Sequence, residues 1–187
     1  MFASKSNQKP KLYMTDETAM NAVKQGELDQ AAVLYERFKR PIFNFFLYLR
    51  HDRELSQDFT QQVFYRLLKY RNSYQEGNCF KTWIYRIARN IHHDHYQRNL
   101  LISNELLDQY DKADEIPDNQ DEEIALVIKA LNKLPNEYRE VLILSRYEDM
   151  KYEQIAAVLD ISVALVKVRV HRAIKALREV YFQLSEA

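Results

Sequence analysis

Only Gly26 and Gly77 give this chain of 187 residues the conformational freedom that hairpins and tight turns draw on, and prolines are just four. Ala, Leu, Glu, Gln, Lys and Arg are abundant, so the backbone is made of good helix formers with few breakers. That combination leaves little turn chemistry for a β-sheet and predicts an all-α protein. The length suits one ordinary domain or two small helical ones. Charge distribution favours two. The 27 Lys and Arg balance 27 Asp and Glu to a net charge of +0, which argues against indiscriminate coating of nucleic acid. The signs are nevertheless segregated: Arg66, Lys69, Arg71, Lys81, Arg86, Arg89 and Arg98 outnumber Glu76 and Asp94 in one stretch, whereas residues 105–123 hold nine acids against Lys112 alone. The expected layout is a polar disordered tail at 1–14, a helical domain at 15–98, a flexible acidic linker at 99–120 that contains Pro117-Asp118-Asn119, and a second helical domain at 121–183.

Several classes are excluded early. Cys79 is the single cysteine, so no intramolecular disulfide forms and cysteine usage gives no support to a secreted origin. No apolar run approaches the roughly 20 residues of a membrane span, and residues 1–14 lack the apolar core of a signal peptide, which places the protein in the cytoplasm without membrane insertion. A Gly-rich phosphate loop, a metal-ligand set and a nucleophile with a placed base are all missing, so an enzyme and a bound cofactor are not expected.

The segment 152–178 reads as two short amphipathic helices about a tight turn. In the first, Ile155, Ala156 and Leu159 keep helical spacing, with the small Ala156 where two helices cross closely. Asp160-Ile161-Ser162 breaks the period, and Ser162 stands where it caps the next helix. That helix has an apolar stripe of Val166, Val170, Ala173, Ile174, Leu177 and Tyr181, and leaves Lys167, Arg169, His171, Arg172, Lys175 and Arg178 outside it, with no acid between Asp160 and Glu179. Solvated helix faces normally mix signs. A face of cations alone, directly after such a turn, reads as a helix-turn-helix whose outer side meets DNA phosphates.

Upstream, periodicity predicts helices over about 16–25 and 29–50, the latter kinked at Pro41, then one beginning near Leu55 or Ser56, a loop at 74–79, and a helix from Phe80 to about Gln97. The second domain adds helices from about Glu122 to Leu134 and from Glu137 to Tyr147. Its core should include Ile124, Ile128, Leu131, Leu134, Val141, Leu142, Leu144, Ile155, Leu159, Val166 and Val170.

Taken together, LSQDFTQQVFYRLLKY, FKTWIYRIARNIHHD and LPNEYREVLILSRYEDMKYEQIAAVLDISVALVKVRVHRAIKAL resemble the two modules of an extracytoplasmic-function sigma factor, in order and in spacing. The resemblance covers roughly 17–98 and 121–180. It implies a sigma-2 module that grips the RNA polymerase clamp and opens the minus-10 promoter element, a sigma-4 module that reads the minus-35 element, and an anti-sigma factor as a further partner. Asp58, Gln61 and Gln62 then face the clamp, with Gln62 where many relatives have Glu. Asn90 falls at the position that helps read a flipped base, and the 74–79 loop completes that pocket. Tyr74, Asn78, Phe80, Lys81, Arg86 and Arg89 join Asn90 as minus-10 candidates, Tyr74 and Phe80 as stacking rings and the arginines on phosphates. Ser162, Lys167, Val168, Arg169, His171, Arg172 and Lys175 are the minus-35 candidates. Val168 replaces a small polar residue and so favours apolar contact with thymine methyls or an altered promoter preference, while Ala164 and Leu165 replace a frequent Gly-Thr pair near the helix start.

Blander readings stand beside these. Trp83 in an Ile-rich helix is core more often than a wedge in melted DNA. His92 and His95 lie one turn apart without a third ligand, which is weak for a metal and fits phosphate or solvent better. Asp94 is expected to cap or to pair with Arg98. The competing function is a stand-alone helix-turn-helix regulator, against which the N-terminal half offers no alternating strand-helix pattern.

Overall fold

The structure is a computed structural model that describes residues 14–49, 52–103 and 122–186. Among them lie eight α-helices and no strand: α1 (Asp16–Gln25), α2 (Gln30–Tyr48), α3 (Arg53–Lys69), α4 (Phe80–Ser103), α5 (Glu122–Asn132), α6 (Asn136–Leu142), α7 (Tyr152–Leu159) and α8 (Val163–Ser185). Local chemistry sets their ends. The Thr15 hydroxyl accepts from the Thr18 amide at 3.2 Å to start α1, and Gly26, at φ +106°, closes it in a conformation that a β-carbon disfavours. The Asp52 carboxylate accepts from the Leu55 amide at 2.7 Å, so α3 begins at Arg53, earlier than periodicity implied. α2 runs through Pro41.

α1 to α4 pack as one module around aromatic rings. Phe45 meets Tyr85 at 5.4 Å, Phe46 meets Phe59 at 5.2 Å and Phe38 meets Phe80 at 5.1 Å, all edge-to-face, the arrangement favoured by the ring quadrupole. Between α3 and α4 the Tyr74 ring is fully buried, and its hydroxyl donates to the Asn78 carbonyl. The Tyr74 carbonyl accepts from Lys24 Nζ at 2.8 Å, and Glu17 Oε1 accepts from the Phe80 amide at 3.1 Å, so α1 pins both ends of this loop and caps α4.

Burial, with smaller contributions from the nearby Glu17 and Cys79, pushes the Tyr74 phenol from 10.0 to about 12. The folded state therefore holds this proton more tightly than the unfolded chain does, a contribution complete below pH 10 and lost as pH rises towards 12. We expect urea-unfolding free energies to fall over that window, and Tyr74→Phe to flatten the fall. An equal slope in the variant would refute the assignment.

In the second module the expected core is buried from Ile128 to Val170; Ile124 lies outside the residues whose side chains are described. α6 does not continue as a regular α-helix to Tyr147 but widens into a π-helical turn at Ile143–Tyr147, followed by Asp149 at φ +48°. Such a bulge re-aims side chains, and here it turns Glu148 inward.

Two boundaries differ from expectation. Met14, assigned to a disordered tail, packs against the core, and its carbonyl accepts from Arg37 at 2.8 Å. α4 continues to Ser103 rather than ending near Gln97. The rest of the acidic linker, 104–121, lies outside the described residues, as does the tail at 1–13. The buried residues of the two modules form one continuous apolar cluster, and α4 packs along α7.

Candidate nucleic-acid interface

Three surfaces gather the residues singled out above. On α3, Asp58, Gln61 and Gln62 are all exposed, while Ser56, Phe59, Thr60, Val63 and Phe64 are buried. Their i, i+3, i+4 spacing puts the three on one outward face. That face continues through Tyr65, 63% exposed, with the Lys69 ammonium 5.8 Å from its ring centroid and 5.5 Å from that of Tyr70. Sequence reading left out Tyr65, Leu68 and Tyr70 as contact candidates, although exposed large apolar groups beside polar ones mark docking faces.

The α8 surface is the second. Ser162 caps the helix as expected, its hydroxyl accepting from the Leu165 amide at 3.2 Å. Asp160 supplies the left-handed turn residue at φ +57° that glycine usually fills, so the two helices meet without one. Val166, Val170 and Ala173 are buried; Lys167, His171, Arg172, Lys175 and Arg178 are exposed, as is Val168 at 43%. Arg169 departs from the group. Its guanidinium bonds Glu137 of α6 at 3.1 Å with the side chain only 21% exposed, so it braces its own module and is not a ready DNA contact. Lys175 faces Glu179 at 3.9 Å across one exposed turn, a pair that contributes about 0.3–0.5 kcal/mol.

The third surface surrounds α4, and the structure splits its candidates. Arg86 and Asn90, four residues apart, share an open face, and Asn78 is exposed in the preceding loop. Tyr74 and Phe80 are not available for stacking: both are completely buried, because the loop is tied to α1 and their rings pack against Trp83 and each other. Trp83 is half-buried beside them, in accord with the core reading. Lys81 and Arg89 lie on another face, turned to the second module.

On that face Lys81 Nζ stands 3.4 Å from Glu148 Oε2 and donates to the Glu148 carbonyl. The Tyr85 phenol is raised above its ordinary range by burial and then by the Glu148 carboxylate it faces. Further along, His92 Nε2 is 3.9 Å from Glu140 Oε1 and 3.3 Å from the Asn136 amide nitrogen. Burial raises the Glu140 carboxyl, opposed first by Arg89 and then by Arg169. Gln154 Nε2 donates to Cys79 Sγ at 3.1 Å, and the Tyr48 and Tyr147 rings meet at 4.4 Å. Two expectations are thereby corrected. His92 is buried between modules rather than facing phosphate or solvent, and Asp94 pairs with Arg66 of α3 at 3.4 Å, not with Arg98. His95 lies edge-on to Phe59 at 5.1 Å. No cluster of three metal-ligating side chains occurs among the described residues.

Known proteins with similar features agree on both modules. Residues 34–100 match the family model for sigma-70 region 2, and residues 124–177 match that for sigma-70, region 4. The RNA polymerase sigma factor CarQ of Myxococcus xanthus is 27% identical over 169 residues, which is 89% of this chain and 97% of CarQ. The ECF RNA polymerase sigma factor SigM of Bacillus subtilis is 26% identical over 152 residues, 79% of this chain and 93% of SigM. Among solved folds, CnrH in complex with the cytosolic domain of CnrY superposes with a TM-score of 0.69 at 22% identity, covering 88% of this chain and 96% of CnrH. The sigma factor RpoE of Bartonella quintana, in complex with the anti-sigma factor NepR, gives 0.68 at 22% identity, with 80% and 94% coverage.

Proposed function

This chain belongs to the extracytoplasmic-function group of sigma-70 factors, and from that membership and its three surfaces we infer how it acts. It is a sigma factor that binds core RNA polymerase and directs promoter-specific initiation. The observation that carries the reading is the pairing, in one chain, of a region 2 module with an outward polar and aromatic α3 face and a region 4 module with an outward cationic α8 face.

The finer assignments are ours. Asp58, Gln61, Gln62 and the adjoining Tyr65 bind the polymerase clamp. Asn90, Arg86 and Asn78 meet the melted minus-10 strand, where extruding a base costs a few kcal/mol that a preformed amide contact offsets. Lys81 and Arg89 join them once uncovered. Lys167, Val168, His171, Arg172 and Lys175 enter the major groove at the minus-35 element. The protein acts in the cytoplasm as a non-catalytic specificity subunit, and an anti-sigma factor is its expected inhibitor by likeness to the solved complexes. A stand-alone regulator would make the open α3 face superfluous. No helix among the described residues is long and apolar enough to cross a membrane.

The test is reconstitution. Transcription starts mapped after forced expression supply a promoter, and purified protein with core polymerase should initiate there while core alone does not. Core polymerase that stays promoter-blind at saturating protein would reject the reading.

A further inference from the structure

Asn78, an exposed candidate for the melted minus-10 strand, sits in a loop that cannot fix both its ends by itself. The residue before Phe80 is Cys79, whose side chain has no oxygen with which to cap α4, and Gly77 takes φ +87°. α1 supplies what the loop lacks. Glu17 Oε1 accepts from the Phe80 amide at 3.1 Å, a charge-assisted bond at the first turn of α4, and Lys24 Nζ donates to the Tyr74 carbonyl at 2.8 Å. The two lie seven residues apart on α1, hence on one face and about 10 Å from each other at 1.5 Å per residue, so each reaches one end of the loop. Within the loop the Tyr74 hydroxyl donates to the Asn78 carbonyl, and the Asn78 amide donates to the Gln75 carbonyl at 3.2 Å. α1 is itself held: Ala19, Met20 and Val23 are buried, and Asp16 pairs with Arg37 of α2 at 2.6 Å. The backbone under Asn78 is thereby tied through Tyr74 to a helix that the functional reading leaves without a role.

We propose that Glu17 and Lys24 are positioning residues for base reading: they hold the 74–79 loop so that Asn78 meets the extruded base in a preset orientation, and so set how strongly one base is preferred there. This rests on the sigma-factor reading and adds to it a role for α1. Neither side chain has to touch DNA. A loop ordered before binding loses less conformational entropy when the base arrives, and a polar group held in one place rejects the wrong base by being left unpaired. Freed from α1, the loop still offers Asn78 but in many orientations, so affinity for the favoured base falls towards that for the others. Lys24 also carries a charge, and a cation on a carbonyl differs from one on a phosphate in its salt response. Only the second lowers the slope of log affinity against log salt when removed, by about 0.7 for a single strand.

The experiment uses holoenzyme assembled from the full chain and core polymerase, with four fluorescent single-stranded minus-10 oligonucleotides that differ only at the flipped base. Lys24→Met and Glu17→Ala should each reduce the ratio of best to worst affinity by about fivefold or more, with the salt slope, core binding and minus-35 duplex binding unchanged. Glu17→Gln keeps the Oε1 acceptor and should restore most of the ratio. Glu27→Ala, an exposed acid just past α1, should leave the ratio as it is. In an Asn78→Ala background Lys24→Met should change the ratio no further, whereas a merely loosened module would lose affinity for every base alike. Lys24 is exposed, so its variant decides the matter if Glu17→Ala misfolds. An unchanged ratio in Lys24→Met, a reduced salt slope with the ratio intact, an equal loss in the Asn78→Ala background, or a wild type without base preference overturns the proposal. Initiation by wild-type holoenzyme at its mapped promoter is measured separately, so loss of the positioning role and loss of the sigma-factor reading are distinguishable.

Discussion

Arg139→Ala is expected to cost the second module about 3 kcal/mol or more, close to half the stability of many small domains. The guanidinium is only 4% exposed and does not rest in solvent as most arginines do. Instead it closes the C-terminal end of α5 and the turn beyond: Nε donates to the Leu131 carbonyl at 3.2 Å, Nη2 to Asn132 at 3.0 Å and to Leu134 at 2.7 Å, and Nη1 to Asn136 Oδ1 at 3.2 Å. The last carbonyls of a helix have no partner within it. Remove the fork and several acceptors are left in a pocket with little access to water, each costing about 1–3 kcal/mol if unsatisfied. Thermal melting should drop by on the order of 10–20 °C. Arg139→Lys keeps the charge but not the planar array of donors, so it should recover only part of that loss. Full recovery by lysine would show that charge alone matters there and would refute the carbonyl-capping account.

The contrast between Arg139 and Arg172 shows where sequence stops being informative. Both are arginines on amphipathic helices, but one is enclosed and the other open, and the difference arises from elements that local spacing does not encode. What spacing does encode was readable. The alternation of buried Phe59, Val63 and Phe64 with exposed Asp58, Gln61 and Gln62 on α3 follows from 3.6 residues per turn alone, as does the stripe of Val166, Val170 and Ala173 on α8. The turn between α7 and α8 was legible through Ser162 even though Asp160 occupies the position glycine usually takes. Tyr74 and Phe80 illustrate the opposite case. An aromatic ring at a loop edge serves a base or a core equally well by composition, and what buried these two was Glu17 and Lys24, 63 and 50 residues away in the chain. Glu148 was invisible for the same reason, since its partner Lys81 lies 67 residues upstream. The π-helical turn that aims it also has no signature in the pattern Ile143-Leu144-Ser145. Long-range pairing of charges is decided by tertiary placement, so the face that joins the modules is the part the sequence least reveals.

Double replacement of Lys167 and Arg172 by alanine is expected to weaken holoenzyme binding to the minus-35 duplex on the order of a hundredfold, because a good base-edge or phosphate contact contributes about 1–3 kcal/mol and both side chains are free to reach. Neither side chain is enclosed, so melting temperature should hardly move. The salt dependence separates the two kinds of contact. A residue on a phosphate lowers the slope of log affinity against log salt by about 0.9 when removed, whereas one on a base edge leaves that slope and relaxes preference at one position. Arg169→Ala should behave differently from its neighbours: tied to Glu137 at 3.1 Å, it should alter stability more than DNA affinity. Val168→Ser tests the apolar contact at 43% exposure, where no packing is lost. It should keep affinity within a few-fold but reduce the penalty for replacing thymine by deoxyuridine, which lacks only the methyl group. Wild-type affinity in the Lys167 and Arg172 double variant, with intact melting, would mean that the cationic face of α8 does not lie in the groove.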